Sequence, residues 1–165
     1  RKTVPGWRLL DKYAVRMGGG WNHRTGLYEA ILIKDNHLAA CRAAGLTPAD
    51  AVVRAREFVA RSFPPTRVAE MVVEIEIDAA TDLEPVLRAG PDVVLLDNMP
   101  VAELARCVEI RGGVAPQVQL EASGGIRPET VAAIAATGVD RVSTGWPTHD
   151  APWLDVALDW PSHAE

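Results

Sequence analysis

Residues 71–126 read MVVEIEIDAATDLEPVLRAGPDVVLLDNMPVAELARCVEIRGGVAPQVQLEASGGI, and their pattern decides the fold. Runs rich in Val, Ile and Leu at 71–77, 93–96 and 118–122 alternate with stretches suited to helix. The run at 93–96 is apolar without a break, as expected of a strand buried on both faces. Thr81-Asp82-Leu83-Glu84 has the form of a capping box that starts a helix. Residues 101–110 are expected to be helical. Strand, turn and helix alternating in this way imply a parallel sheet with right-handed crossovers.

The same unit repeats on both sides. Upstream, 30–34 is a short apolar run, and Thr47-Pro48 opens a helix expected to reach residue 61, with Thr as N-cap and Pro in the first turn. Downstream, 128–137 predicts a helix and 139–143 a last strand. A polar or glycine residue closes each strand: Glu76, Asp97, Ser123-Gly124 and Gly145, spaced 21, 26 and 22 residues apart. In a (β/α) barrel such positions converge on one face, where active sites lie. A doubly wound open sheet gathers strand ends mainly around one switch point. Four decorated ends in succession favour the barrel. The 165 residues accommodate five or six strands. The expected fold is therefore α/β, an incomplete TIM-like (β/α) barrel with parallel strands, as one domain over 1–165.

Bulk properties narrow the function classes. The chain is 48% hydrophobic and only 5% aromatic, and Ala, Val, Leu and Ile are the usual filling of an α/β protein. A net charge of −5 argues against general nucleic-acid binding. No stretch has the length of a membrane span, and no signal-peptide pattern is present, so a cytoplasmic protein without a membrane partner is expected. Cys41 and Cys107 form no CxxC pair and are expected to be two buried thiols. The chain begins at Arg1 inside a motif-like stretch and is read as the C-terminal part of a longer protein.

Charge is distributed unevenly. Residues 1–34 carry seven Lys/Arg against two Asp/Glu, although the chain is acidic overall. Arg, Lys and His beside glycines suit a small, strongly anionic ligand. Arg1, Lys2, His23, Arg24 and Lys34 are the candidates. His23-Arg24 follows Gly18-Gly19-Gly20, and Lys34 ends an apolar run where a surface lysine is out of place. Arg8, Lys12 and Arg16, at helical spacing, read as a solvated face.

Ser123-Gly124-Gly125 lies between a strand and a helix, where free N–H groups and close backbone approach suit a phosphate. Gly145, one strand later, completes a phosphate cradle. Glu76 and Asp97 sit beside it. Paired carboxylates there suggest Mg²⁺ binding, hydrogen bonds to sugar hydroxyls, or stabilisation of positive charge developing on a sugar carbon. Glu74 and Asp78 share a strand face with Glu76 by parity, so position along the strand leaves open which one is catalytic. His23 and His37 match no metal spacing, and His149 and His163 are read as incidental. Ser123 lacks a nucleophile-elbow context.

The segments RKTVPG (1–6), GGGWNHRTGL (18–27), LIKDNH (32–37), VEIEID (73–78), LLDNM (95–99), LEASGGI (120–126) and GWPTHDAPWLD (145–155) together resemble the quinolinate phosphoribosyltransferase family (nicotinate-nucleotide pyrophosphorylase, carboxylating). The resemblance implies a reaction of de novo NAD biosynthesis. Quinolinate and phosphoribosyl pyrophosphate give nicotinate mononucleotide, pyrophosphate and CO₂, with Mg²⁺. It also implies an N-terminal α/β sandwich domain, which this stretch is expected to lack as the C-terminal part of a longer protein. Family members form a homodimer or higher oligomer in which one subunit's N-terminal domain helps close the other's barrel.

By the same resemblance, Arg1, His23 and Arg24 bind quinolinate. Lys2 and Lys34 lie between quinolinate and the pyrophosphate and act in catalysis with Glu76 and Asp97. Those two carboxylates hold the ribose hydroxyls and Mg²⁺, directly or through water. The amides around Ser123, Gly124, Gly125 and Gly145 hold the 5′-phosphate. Two features depart from the family pattern. Trp146-Pro147 replaces a small residue and Leu, and the 37–76 stretch is longer than in some relatives, which is expected as a longer helix. Three alternatives stand beside this reading: a pyridine phosphoribosyltransferase that acts on nicotinate without decarboxylation, a paralogue associated with molybdenum transport, and an inactive phosphate-binding barrel. The cationic excess favours a dicarboxylate. Glu76 and Asp97 together argue against bare phosphate binding, which has no use for them.

Overall fold

A computed structural model describes residues 2–158. Its sheet consists of β1 (Ala30–Ile33), β2 (Val72–Ile77), β3 (Val93–Asp97), β4 (Gln119–Ser123) and β5 (Arg141–Val142). All neighbouring pairs are parallel, and the spatial order is β1-β2-β3-β4-β5. Each crossover therefore advances by one strand in the same direction. That is the winding of a barrel segment; a doubly wound sheet would reverse direction at a switch point.

Strand parity sorts side chains into two sets. Val73, Ile75 and Ile77 of β2, Val94 and Leu96 of β3, and Leu120 and Ala122 of β4 point toward the helices and share one apolar core with them. Val93 and Leu95 point the other way and are also buried, so β3 is covered on both faces, as its unbroken apolar run requires. Full burial of each such Val, Leu or Ile is worth roughly 1.5–3 kcal/mol, which makes the central strands the stable part of the sheet.

The helices are α1 (Arg8–Met17), α2 (Asp35–Ala43), α3 (Pro48–Ser62), α4 (Pro65–Glu70), α5 (Leu83–Arg88), α6 (Val101–Val114), α7 (Pro128–Ala135) and α8 (Trp146–His149). The expected start of α3 forms as read. Thr47 Oγ1 accepts from the Asp50 amide at 3.2 Å, and Asp50 Oδ2 accepts from the Thr47 amide at 2.8 Å. Ala51, Val52 and Val59 are the buried stripe of α3.

Four local expectations change. No capping box forms at 81–84: residues 80–82 make a short 3-10 turn, and Asp82 precedes α5 without a side-chain bond. Burial of Leu83, Val86 and Leu87 sets the start of α5 instead. The long 37–76 stretch holds three helices rather than one lengthened helix. Phe63 and Pro64 are both extended, because a residue preceding proline is driven out of the helical region. The last strand has two residues instead of five; among the described residues it is paired on one side, by β4. Both cysteines are free thiols, but only Cys107 is buried, Cys41 being half-exposed on α2.

The N-terminal ends of the strands are fixed by a device used twice. Asp92 Oδ2 accepts from the Val73 amide at 2.7 Å, and Arg56 of α3 reaches Asp92 at 2.9 Å. Asp140 Oδ2 accepts from the Leu120 amide at 2.8 Å, and Arg111 of α6 reaches Asp140 at 3.3 Å. These pairs lie at the end of the barrel opposite the strand C-termini and serve the scaffold. Among the described residues, no helix is long and apolar enough to cross a membrane.

Candidate active site

The inward side chains form rows across the sheet. Glu76 pairs with Leu95, Leu95 with Glu121, and Glu121 with Arg141. Asp97 pairs with Ser123 one step nearer the C-terminal rim, and Glu74 lies one step deeper. The barrel thus carries carboxylates at three depths.

The structure brings Lys34 and Glu76 together. Lys34 follows β1 directly and is the extended residue ahead of α2. Its amide donates to His37 Nδ1 at 2.9 Å, so His37 caps the start of α2. The Lys34 ammonium lies 3.2 Å from Glu76 Oε2, with side chains 45% and 15% exposed. The pair is open to a ligand.

Asp97 is held by its successor. Asn98 has φ of 54°, unusual for a residue with a side chain, and its carboxamide donates to Asp97 Oδ2 at 2.6 Å. The Asn98 amide donates to the Ser123 carbonyl at 2.9 Å, which ties the β3 end to the β4 end. Gly124 (φ +92°) lies against Asn98 so closely that a Cβ there would stand 2.8 Å from the Asn98 nitrogen. Gly125 is also left-handed (φ +61°) but has open space around it. The two glycines turn the chain out of β4 toward α7 with the room beside Gly125 unfilled.

The next loop is latched to this one. Thr144 Oγ1 donates to the Ile126 carbonyl at 2.7 Å and accepts from the Trp146 amide at 3.1 Å. Gly145 sits at the start of α8 under His149, whose Nε2 a Cβ would approach to 2.7 Å. The His149 side chain is 62% exposed and its Nδ1 lies 2.9 Å from Asp150 Oδ2, so its ring can move aside from that contact. Trp146 occupies the first turn of α8 without displacing Gly145.

The cationic residues divide. The Lys2 carbonyl accepts from Thr148 Oγ1 at 3.5 Å, which brings the N-terminal segment beside α8. Lys2 also lines an open depression of about 540 Å³ along the segment between Lys2 and Leu9. Arg24 donates to the Ala30 carbonyl at 3.1 Å and so braces the start of β1. Arg8 and Arg16 are exposed on α1 as expected, whereas Lys12 is half-buried. Arg1 lies outside the described residues. His23 turns inward: its Nε2 is 3.2 Å from Glu74 Oε2 and 3.6 Å from Glu121 Oε1.

Glu121 faces the same interior, and the sequence marks it only through the LEASGGI segment. Asn98 is marked only through the LLDNM segment, and Ser143 and Thr144 carry no signal of their own. Burial pushes the Glu121 carboxyl above its ordinary value; the hydrogen bond from Ser143 opposes this, the Glu74 carboxylate adds to it, and His23 and Arg141 oppose it. The folded chain then binds this proton more tightly than the unfolded chain. Stability from Glu121 is full below the unfolded value of 4.5 and is lost as pH rises through the folded value. Glu121→Gln is neutral and keeps an acceptor for Ser143. It should flatten the fall in melting temperature between pH about 4.5 and neutrality, and an unchanged slope would contradict this assignment.

Residues 1–159 match the family described as quinolinate phosphoribosyl transferase, C-terminal domain. The chain is 44% identical over 159 residues to a nicotinate-nucleotide pyrophosphorylase [carboxylating] of Mycobacterium leprae, covering 96% of this chain and 51% of that protein. It is 40% identical over 160 residues to a probable protein of the same name from Bacillus subtilis, covering 96% and 50%. Among solved structures, the nicotinate-nucleotide pyrophosphorylase of Francisella tularensis superposes with a TM-score of 0.74 at 40% identity, over 90% of this chain and 47% of that one. The chain spans about half the length of the relatives it matches.

Proposed function

The chain belongs to the quinolinate phosphoribosyltransferase family, and from that premise we propose that it is the C-terminal catalytic barrel of an enzyme that transfers phosphoribose from phosphoribosyl pyrophosphate to quinolinate with loss of CO₂. One observation carries this reading: the order of groups along the rim. Lys34 follows β1, Glu76 lies on β2, Asp97 ends β3, Ser123-Gly124-Gly125 follows β4 and Gly145 follows β5. Cation, carboxylates and glycine loops succeed one another as carboxylate, ribose and 5′-phosphate do in the product.

In this reading Arg1, His23 and Arg24 bind the quinolinate carboxylates. Lys2 and Lys34 hold charge between quinolinate and the pyrophosphate. Glu76 and Asp97 accept from the ribose hydroxyls and favour positive charge at the anomeric carbon as its bond to pyrophosphate breaks. The quinolinate ring nitrogen donates its electron pair to that carbon. The resulting pyridinium accepts the electrons of the adjacent carbon–carboxylate bond, CO₂ leaves, and the ring carbon takes a proton. Glu76 and Asp97 offer the oxygen donors that a hard cation takes, and Asp97 is half-exposed at the rim with only Asn98 on its Oδ2. Mg²⁺ held there, directly or through water, would neutralise pyrophosphate charge. Positioning and charge complementarity are the protein's contribution, and no covalent intermediate is required. The working form in this reading is a homodimer or higher oligomer of the full-length protein, supported by the family resemblance and by the exposed Leu9, Leu10, Tyr13 and Met17 of α1.

Turnover on quinolinate and on nicotinate separates this reading from the non-decarboxylating one. A site built to pair two carboxylates should prefer quinolinate by roughly 100-fold or more in kcat/KM, because nicotinate leaves part of the cationic set unpaired. Equal turnover, or a preference for nicotinate, would favour the second reading.

A further inference from the structure

Glu74 and Glu121 take no part in the steps just described, yet both are only 2% exposed inside the barrel. They stand on β2 and β4, on either side of β3, and both reach the same atom, His23 Nε2, at 3.2 and 3.6 Å. Ser143 Oγ donates to Glu121 Oε1, and Arg141 lies 4.0 Å from Glu121 Oε2. Glu74 Oε1 is buried without a hydrogen-bond partner among the described residues. A buried carboxylate engaged on one oxygen is a poor source of stability, since an apolar side chain of similar volume serves the fold as well or better. Stability therefore does not account for Glu74.

We infer that Glu74 and Glu121 are positioning residues that set the orientation and hydrogen placement of the His23 ring. A carboxylate only accepts, so the His23 nitrogen 3.2 Å from Glu74 Oε2 is the one that carries hydrogen. Nε2–H is thereby committed to the barrel interior, and Nδ1 is the ring atom presented to a ligand. A ring set from one side through Nε2 presents its other nitrogen to a ligand, the arrangement by which an outer carboxylate orients a ligand-binding histidine. His23 remains about one-third exposed, so it is reachable from the mouth. The same three residues present ligand atoms within 4.8 Å of one another, but the direct His23–Glu74 contact already uses the atoms a cation would need. The inference rests on the assignment of His23 to the anionic substrate.

The test uses the full-length protein with Glu74→Met and Glu74→Gln. Met removes the acceptor and the charge; Gln removes the charge and keeps an acceptor oxygen. Glu74→Met should raise the quinolinate KM about tenfold or more, with kcat and the phosphoribosyl pyrophosphate KM changed by less than about twofold. Glu74→Gln should recover most of that loss. Nitrogen NMR of the His23 ring should show protonated Nε2 in the wild type and in Glu74→Gln, and an altered tautomer in Glu74→Met. An unchanged quinolinate KM and unchanged ring signals in folded Glu74→Met would overturn the inference. So would an equal rise in both KM values accompanied by a lower melting temperature, which is the mark of a packing role. If the wild type fails to use quinolinate at all, the proposed function falls, while the ring signals still report whether Glu74 holds His23.

Discussion

Asp97→Asn is expected to lower kcat/KM by roughly 100- to 1,000-fold while leaving the melting temperature near that of the wild type. Asp97 ends β3 at the rim, is half-exposed, and receives its bond from Asn98 rather than from a cation. The substitution keeps the shape and the strand end and removes only the negative charge. In the proposed reaction that charge acts where positive charge develops on the sugar, so its loss is felt in the transition state more than in the ground state. Glu76→Gln should lose less, because Lys34 lies 3.2 Å away and its ammonium is then left without a partner that the incoming anions can replace. Steady-state kinetics with thermal melts of both variants check the order. A loss below about threefold for Asp97→Asn would remove the rim carboxylate from catalysis.

Gly124→Ala is expected to be the most damaging substitution at a glycine of the site. Its φ of +92° is a region that side chains avoid, and the new Cβ would meet the backbone nitrogen of Asn98 at 2.8 Å. Strain and overpacking together should cost about 3 kcal/mol or more. The clash is with the residue that orients Asp97 and bonds to the Ser123 carbonyl, so the damage reaches both the carboxylate and the phosphate loop. Gly125→Ala is the matched control. It has a similar left-handed backbone (φ +61°) but no atom within 4 Å of the added carbon, so only the backbone cost of about 1–2 kcal/mol applies. Denaturant unfolding of the two variants measures the difference. Equal destabilisation would show that the contact with Asn98 does not matter.

The sequence shows the barrel because each strand announces itself and each strand end is marked. The apolar run at 93–96 could be buried only on both faces, and β3 is. Thr47-Pro48 and Asp50 held all the information needed for the start of α3, because a capping box is local. Thr81-Asp82-Leu83-Glu84 has the same local form and fails, since the burial of Leu83 governs where α5 begins. The rim residues Lys34, Glu76 and Asp97 were legible because strand ends converge in any barrel. Glu74 and Glu121 were not, as sites: parity places Glu74 on the inner face, but nothing local says that a loop histidine from residue 23 reaches it. Asn98 and Thr144 act through contacts with Gly124 and Ile126 on the neighbouring loop, which only the folded register brings within reach.

The central claim is that this rim assembles quinolinate and phosphoribosyl pyrophosphate for transfer and decarboxylation. The most direct measurement is release of labelled CO₂ from quinolinate carrying the label in the carboxylate beside the ring nitrogen. It uses the full-length protein with phosphoribosyl pyrophosphate and Mg²⁺, and Lys34→Ala beside the wild type. The expected result is release that requires the sugar donor and is lost in Lys34→Ala. No release from a folded, oligomeric wild-type protein, or release that Lys34→Ala leaves undiminished, would contradict the account.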